Sequence, residues 1–284
     1  IRNFMAKNNL VAPIIKWVGG KRQLLDSLIP LLPPKMSSYT YCEPFIGGGA
    51  LLFFLQPKKA ILNDINDELI LLYNVVRDSP EKLIECLSIF KNDSDTFYKI
   101  REWDRNKLKY STISEINKAA RFIYLNKTCY NGLFRVNNAG EFNAPFGNYK
   151  NPNIVNAATI RAVSSYFKEN DVKIYNLDYK ELLKNIPKKS FVYLDPPYDP
   201  VSTTSNFTGY SKGGFTREDQ IELRKCCDEL NSRGIKFMLS NSATDFVFQQ
   251  YLKYNIKTVY AKRSVNSDAS KRGDVQEVVV RNYE

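Results

Sequence analysis

Asp195-Pro196-Pro197-Tyr198 is the stretch whose residue types most directly suggest chemistry. It closes an apolar run, Phe191-Val192-Tyr193-Leu194, that reads as a buried strand. Two prolines in succession can neither continue a central strand nor donate backbone N–H bonds, so the chain must leave the sheet stiff and extended just after the acid. The carboxylate, the Pro196 carbonyl and the Tyr198 ring would then be fixed at a strand's carboxyl end, the edge where open α/β sheets bind ligands. In isolation the same four residues are compatible with a surface turn of no special purpose. The surroundings decide between the two.

Two glycine-containing segments precede this corner. In Lys16-Trp17-Val18-Gly19-Gly20-Lys21 the paired glycines suggest a turn against a phosphate or carboxylate, but Ile15 and Arg22 stand where a P-loop needs Gly and Ser or Thr. Pro44-Phe45-Ile46-Gly47-Gly48-Gly49 lies between a short strand at 39–43 and a helix beginning at Ala50, which is a Rossmann-like opening. Leu52 occupies the position of the third glycine of a dinucleotide fingerprint, so these glycines are expected to admit a ligand other than a pyrophosphate. A second strand at 60–63 ends in Asp64, where nucleoside-binding α/β folds grip ribose hydroxyls. A helix-capping role for Asp64 is the competing reading.

The elements that must position these residues alternate for most of the chain. Further strands are expected at 172–176, 191–194, 236–240, 256–260 and 275–281, with a helix at 216–232 capped by Thr216 and stopped by Gly234. An apolar-periodic helix carrying Leu24, Leu25, Leu28 and Ile29 should stop at Pro30, and the first ten residues read as a weakly ordered arm. From 67 to about 129 the pattern is helical, including a helix headed by Ser79-Pro80-Glu81 and another from about Ser114. Residues 130–150 are dense in Asn, aromatic and basic side chains, with Asn138-Ala139-Gly140 as a hairpin loop between two short strands. Little of that hairpin should be buried, and it suits inspection of a polar groove. Two loops, at 199–214 and 262–274, are long and polar. The expected fold is α/β and Rossmann-like: about seven mostly parallel strands with helices on both faces, plus an inserted helical and β-hairpin domain at 67–155. Residues 1–66 and 156–284 would form the other, discontinuous domain.

Composition limits the chemistry. The 284 residues contain 41 Lys plus Arg against 30 Asp plus Glu, a net charge of +11 that favours a polyanionic partner. Histidine is absent, which removes Ser-His-Asp hydrolysis, imidazole general-base catalysis and most zinc hydrolase sites. Five cysteines without C-x-x-C spacing argue against a disulfide framework and a zinc site, so free thiols and no metal are expected. No apolar run approaches a membrane span and no secretory h-region heads the chain, which points to the cytoplasm.

In this order, the glycine loop at 45–49, the strand-end Asp64 and the 195–198 corner resemble the S-adenosylmethionine-dependent amino-methyltransferases of DNA. In that family Phe-x-Gly-x-Gly is the cofactor loop and Asp-Pro-Pro-Tyr the catalytic corner. Residues 16–21, the 130–150 hairpin and the 195–210 loop are similar, more narrowly, to the Dam-like alpha-group (D12 class) adenine-N6 methyltransferases, and the likeness spans roughly 10–283. The resemblance implies methyl transfer from S-adenosylmethionine, leaving S-adenosylhomocysteine, to the N6 amine of an adenine flipped from double-stranded DNA, with GATC as target. Asp195, Pro196, Pro197 and Tyr198 would be catalytic. Trp17, Lys21, Phe45, Gly47, Gly49, Asp64 and Asp195 would bind the cofactor, with Asp178 a further candidate for which helix capping is equally plausible. Lys16, Tyr130, Asn131, Leu133, Arg135, Asn137, Asn143, Pro145, Tyr149 and Lys150 would contact DNA, Tyr130 as a wedge and Arg135 on a guanine. A monomer in a prokaryotic or phage-infected cytoplasm is implied, with a companion restriction endonuclease possible. Phe134 and the 137–139 loop tip are not fixed by the family pattern.

Other activities fit less well. Carbon-5 cytosine methylation needs a cysteine nucleophile, usually after proline, and none of the five follows one. Amino-cytosine methylation more often goes with Ser in place of Asp195. An amino-methyltransferase acting on another base, sequence or RNA, a non-catalytic DNA-binding relative, and a nucleotide-dependent oxidoreductase remain as rivals.

Overall fold

The computed structural model of the chain describes residues 7–17, 19–132, 134–200, 214–262 and 274–284. Most of the expected arm and of the two long polar loops, together with Val18 and Leu133, lie outside the described residues. Seven strands form one sheet: β1 (Thr40–Glu43), β2 (Lys59–Asn63), β3 (Asp171–Tyr175), β4 (Ser190–Leu194), β5 (Lys236–Ser242), β6 (Asn255–Lys262) and β7 (Asp274–Arg281). Their order is β3-β2-β1-β4-β5-β7-β6. β2, β1, β4 and β5 run parallel, and β7 is inserted antiparallel between β5 and β6. The α/β expectation of about seven, mostly parallel strands is met.

By packing, the chain divides into two compact units, one of residues 21–46, 57–65 and 175–284, the other of residues 1–20, 47–56 and 66–174. In the first, all five residues of β4 are buried, as a parallel strand covered on both faces requires. Helix Arg217–Ser232 begins with a reciprocal capping box between Thr216 and Asp219. It lays Leu223, Cys227 and Leu230 into a core with Val192 and Leu194 of β4, Phe237 and Leu239 of β5, and Val278 and Val280 of β7. From β1 the strand order runs outward through β2, and from β4 outward through β5. The direction therefore reverses between β1 and β4, whose Cys42 and Val192 are paired in register. Outside the carboxyl ends of two such strands, open α/β sheets have their binding crevice.

The second unit is mainly helical, built from Asp67–Asp78, Pro80–Ser88, Ser94–Arg101, Glu115–Thr128 and Ala157–Glu169. Helix Glu115–Thr128 is buried on all sides from Ala119 to Asn126, Arg121 included. A guanidinium is tolerated there because every direction meets an acceptor. Arg121 pairs with Asp104 at 2.7 Å and Glu68 at 3.8 Å, and donates to the carbonyls of Ile100 and Arg101. Asp104 also accepts the Phe142 N–H, while Arg105 takes the Phe142 carbonyl. One buried charge network thus ties three segments of this unit to the 134–146 hairpin.

Three local expectations need correction. The helix expected around Leu24–Ile29 is a 3-10 turn, a single α turn at Leu25–Leu28 and a second 3-10 turn at Ile29–Leu31 that includes Pro30, because proline is accommodated in a first turn. Ser79 precedes helix Pro80–Ser88 without a side-chain cap bond, and its N–H instead donates to Val75 at the end of the helix before. The hairpin has two isolated antiparallel bridges, Cys129 with Phe146 and Val136 with Phe142, rather than two strands, and Phe134, Phe142 and Ala144 are buried. Phe134 stacks on Phe122 of the Arg121 helix, a tertiary effect that local polarity does not reveal. Among the described residues no helix is long and apolar enough to cross a membrane, and all five cysteines are free.

Asp104→Ala should cost about 3–5 kcal/mol in urea unfolding, because it leaves the buried Arg121 charge without its nearest anion. A loss below about 1 kcal/mol would show that Glu68 and the carbonyls suffice.

Candidate active site

Past Leu194 the chain leaves the sheet, and a hydrogen-bonded clamp fixes its path. Gln220 donates to the Pro197 carbonyl at 2.8 Å and accepts from Asn241 at 3.0 Å. Asn241 accepts the Asp199 N–H, and the Ser242 hydroxyl donates to the Asp199 carbonyl at 2.6 Å. The buried Asp199 carboxylate accepts from the Arg217 guanidinium at 3.0 and 3.3 Å and from the Thr244 hydroxyl at 2.7 Å. Helix Arg217–Ser232 and the end of β5 thus hold both sides of the corner, and among the described residues the Pro196 carbonyl accepts no hydrogen bond. Sequence reasoning found the prolines and missed the clamp, whose members carry no motif and come together only through the parallel pairing of β4 with β5.

Three of the expected site residues meet at this corner. Lys21, only 4% exposed, places Nζ 2.9 Å from Asp195 Oδ1 and 4.5 Å from the Tyr198 ring centroid. The Tyr198 hydroxyl donates to Glu277 at 2.7 Å. Burial pushes the Asp195 carboxyl up to about 6, against the pull of the Lys21 ammonium, and the Glu277 charge adds to the rise. The group is therefore mostly ionised at neutral pH yet close to its transition.

The neighbouring strand ends carry more acids. Glu43, at the end of β1, is buried and accepts from Tyr41 at 2.7 Å. Burial holds its carboxyl well above the usual range, and repulsion from Asp195 and Asp64 adds to it. Asn63, fully buried at the end of β2, donates to the carbonyls of Pro44 and Leu177 and accepts the Leu177 N–H. It joins the loops that carry Phe45, Asp64 and Asp178. Asn66, rather than Asp64, caps helix Asp67–Asp78, which removes the competing reading of Asp64. Asp178 does cap, accepting from Lys180 at 2.8 Å at the head of Tyr179–Lys184. Phe45 packs on Tyr179, ring centroids 5.1 Å apart. Glu43, Asn63 and Glu277 were missed in the sequence; an acid directly before Pro44, at the end of a strand, was the available signal for the first.

In the other unit, Trp17 accounts for the glycine loop. Gly47 has φ +46°, and a Cβ there would stand 2.6 Å from Trp17 Cδ1. The group that approaches this backbone is thus the indole itself, where the sequence had suggested a ligand. Trp17 also stacks on Phe134 and Phe122 at 5.5 and 6.2 Å. Gly49 sits with φ +66° before helix Ala50–Leu55.

The residues expected to meet DNA are grouped in this unit. Lys16 bonds through both its N–H and its carbonyl to the buried Asn126 side chain, which also donates to the Gly132 carbonyl. Its ammonium lies 5.6 Å from the Tyr149 ring, and the Tyr149 hydroxyl accepts the Asn131 N–H. Arg135 donates to the Asn143 side chain at 2.7 Å and to its carbonyl at 3.2 Å, so its guanidinium is held in plane. Tyr130 is 56% exposed. Pro145 and Lys150 are exposed, and Asn137 closes its own turn by accepting from Ala139 and Glu141. Leu133 lies outside the described residues.

Residues 17–265 match the D12 class N6 adenine-specific DNA methyltransferase family. The chain belongs to that family. It is 42% identical over 284 residues to the Type II methyltransferase M1.LlaDCHI of Lactococcus lactis subsp. cremoris, covering 99% of each chain. Identity to the Type II methyltransferase M.MjaIII of Methanocaldococcus jannaschii is 43% over 291 residues, covering 96% of this chain and 99% of the relative. The DNA adenine methylase of Escherichia coli K12 is 34% identical over 269 residues, 93% of each.

The Asp195 carboxyl should titrate near pH 6 by carbon-13 NMR, with Asp195→Asn as the assignment control. Lys21→Met should raise that midpoint, since it removes the opposing positive charge; a fall would show that the ammonium does not hold the acid ionised.

Proposed function

We propose that this chain transfers a methyl group from S-adenosylmethionine to the N6 amine of an adenine flipped out of double-stranded DNA, with GATC as the target. The observation that carries this reading is the clamped corner, where the Asp195 carboxylate stands one residue before the Pro196 carbonyl. The adenine amine is a weak nucleophile because its lone pair is delocalised into the ring. Two fixed acceptors for its two N–H groups favour a pyramidal nitrogen with the lone pair available, and they act without reorganising during the reaction. Tyr198 supplies a flat face for the extruded base, which must leave the stack for its amine to be reached. No covalent intermediate with the protein is required.

The residues present suit the cofactor. Asp64, past the end of β2, would accept from ribose hydroxyls, and the carboxylates of Asp195 and Glu277 outnumber the Lys21 ammonium, an environment that favours a cation. S-adenosylmethionine, when bound, supplies a methyl group on a positively charged sulfur. Lys21, Phe45, Asp64 and Asp195 would hold it, with Asp178 orienting its loop; the family resemblance adds Trp17, Gly47 and Gly49.

Residues 67–155 would recognise DNA, with 1–66 and 156–284 carrying transfer. The net charge of +11 supports a polyanionic substrate. Arg135, held planar by Asn143, is pre-organised for a guanine edge. Tyr130, 56% exposed, would be the wedge, and Lys16, Leu133, Asn131, Asn137, Asn143, Pro145, Tyr149 and Lys150 are assigned to the DNA by the resemblance. The similarity of 130–149 to Dam-like enzymes supports GATC. The names of the two Type II relatives support a place beside a restriction endonuclease.

Methylating plasmid DNA and cutting with GATC endonucleases of opposite methylation sensitivity tests the reading, with nucleoside mass spectrometry identifying the product. N6-methyladenine with protection at GATC is expected; methylated cytosine, or product on RNA alone, overturns it. Asp195→Ala should abolish transfer while duplex affinity stays within a few fold. Turnover should fall as pH drops through about 6, since protonation turns an acceptor into a donor. Arg135→Ala should relax discrimination at one base pair, at a cost of about 1–3 kcal/mol; a uniform loss on all sequences would make it a phosphate contact.

A further inference from the structure

Glu277 has no place in the scheme above beyond its charge, yet its position is unusual. It lies in a strand whose next three residues, Val278, Val279 and Val280, are fully buried. In register it faces Ser242 of β5 and Val259 of β6, and the Ser242 hydroxyl is already committed to the Asp199 carbonyl. Among the described residues its hydrogen-bond partner is the Tyr198 hydroxyl, at 2.7 Å. A half-buried carboxylate beside an apolar run costs stability unless a donor meets it, and the donor here is Tyr198, next to the prolines of the corner. The phenol is thus anchored at its far end by a charge-assisted hydrogen bond, while the Lys21 ammonium covers the ring at 4.5 Å. A tyrosine free at its hydroxyl would swing about its side-chain torsions; this one has its plane set from two sides.

We propose that Glu277 is a positioning residue for methyl transfer, fixing the Tyr198 ring in the plane that receives the flipped adenine. It rests on the reading of Tyr198 as the platform for that base. Glu277 reaches the base through Tyr198, so its removal and removal of the phenol oxygen should have the same effect on kcat above the acid limb. A second consequence follows from its charge. Asp195 is faced by Lys21, by Tyr198 and Tyr193, by Glu43 and by Glu277, and Glu277 contributes to the rise of the Asp195 carboxyl.

The test measures kcat, KM and pH dependence for duplex methylation by wild type, Glu277→Ala, Glu277→Gln, Tyr198→Phe and the Tyr198→Phe/Glu277→Ala pair. Both single losses, Glu277→Ala and Tyr198→Phe, should lower kcat about tenfold, and the double variant should match either within about twofold. Glu277→Gln keeps an acceptor oxygen and should recover most of kcat, but its acid limb should move to lower pH, whereas Tyr198→Phe, which keeps the charge, should not show that shift. Multiplying losses in the double variant, or full activity in Glu277→Ala, would overturn the proposal. If Glu277→Ala does not fold, the near-isosteric Glu277→Gln and Tyr198→Phe decide it: an unmoved acid limb in the first together with full kcat in the second overturns it. The underlying reading fails separately, when wild type makes no N6-methyladenine.

Discussion

Keeping Asp195 largely buried and charged at once imposes two opposed requirements, since burial drives a carboxyl towards neutrality and a nearby cation holds it ionised. Lys21, itself buried, supplies that cation from a short 3-10 turn at the start of its unit. Neither group could be placed so on an exposed loop, where water would screen the pair. The parallel arrangement of β1, β4 and β5 makes the position possible, because it buries the whole of β4 and releases the chain at a single edge with the acid as its first residue.

Two buried amides maintain the edge on either side. Asn63 joins the ends of β1 and β2 to the segment at 177, and Asn241 joins the end of β5 to the corner. Each satisfies backbone groups that a loop leaving a sheet would otherwise strand away from water. Together with the Asp199–Arg217 pair they turn three loops into a fixed surface. Such pre-organisation is what electrostatic stabilisation of a weak nucleophile depends on, because polar groups that had to reorient during the reaction would consume the gain.

Much of this was legible from residues alone. The strand, double proline and aromatic at 191–198 named the corner, the run Phe45 to Gly49 named a close approach of backbone, and Asp64 stood at the end of a readable strand. Thr216 and Ser114 announced their helices; Thr216 caps as expected, and Ser114 caps the other. What was hidden depended on partners distant in sequence. The approach at Gly47 is filled by Trp17, thirty positions earlier, and a glycine does not name its neighbour. Phe134 and Phe142 looked like parts of a solvated hairpin because Phe134 is covered by Phe122 of helix Glu115–Thr128 and by Trp17, and Phe142 packs on Phe134. Glu277 sat in a strand pattern like any outward-facing acid, and only the insertion of β7 beside β5 brings it to Tyr198.

That insertion bears on how the protein is made. β7 follows β6 in sequence but separates it from β5 in space, so neither neighbour can complete its backbone pairing until the later strand has been synthesised. While the nascent chain lengthens on the ribosome, the far edge of β5 stays open, a strand edge of the kind that other chains can pair with. Closing it is a long-range step of the sort that slows folding. The order of the strands therefore leaves that edge of β5 unpaired until β7 is in place.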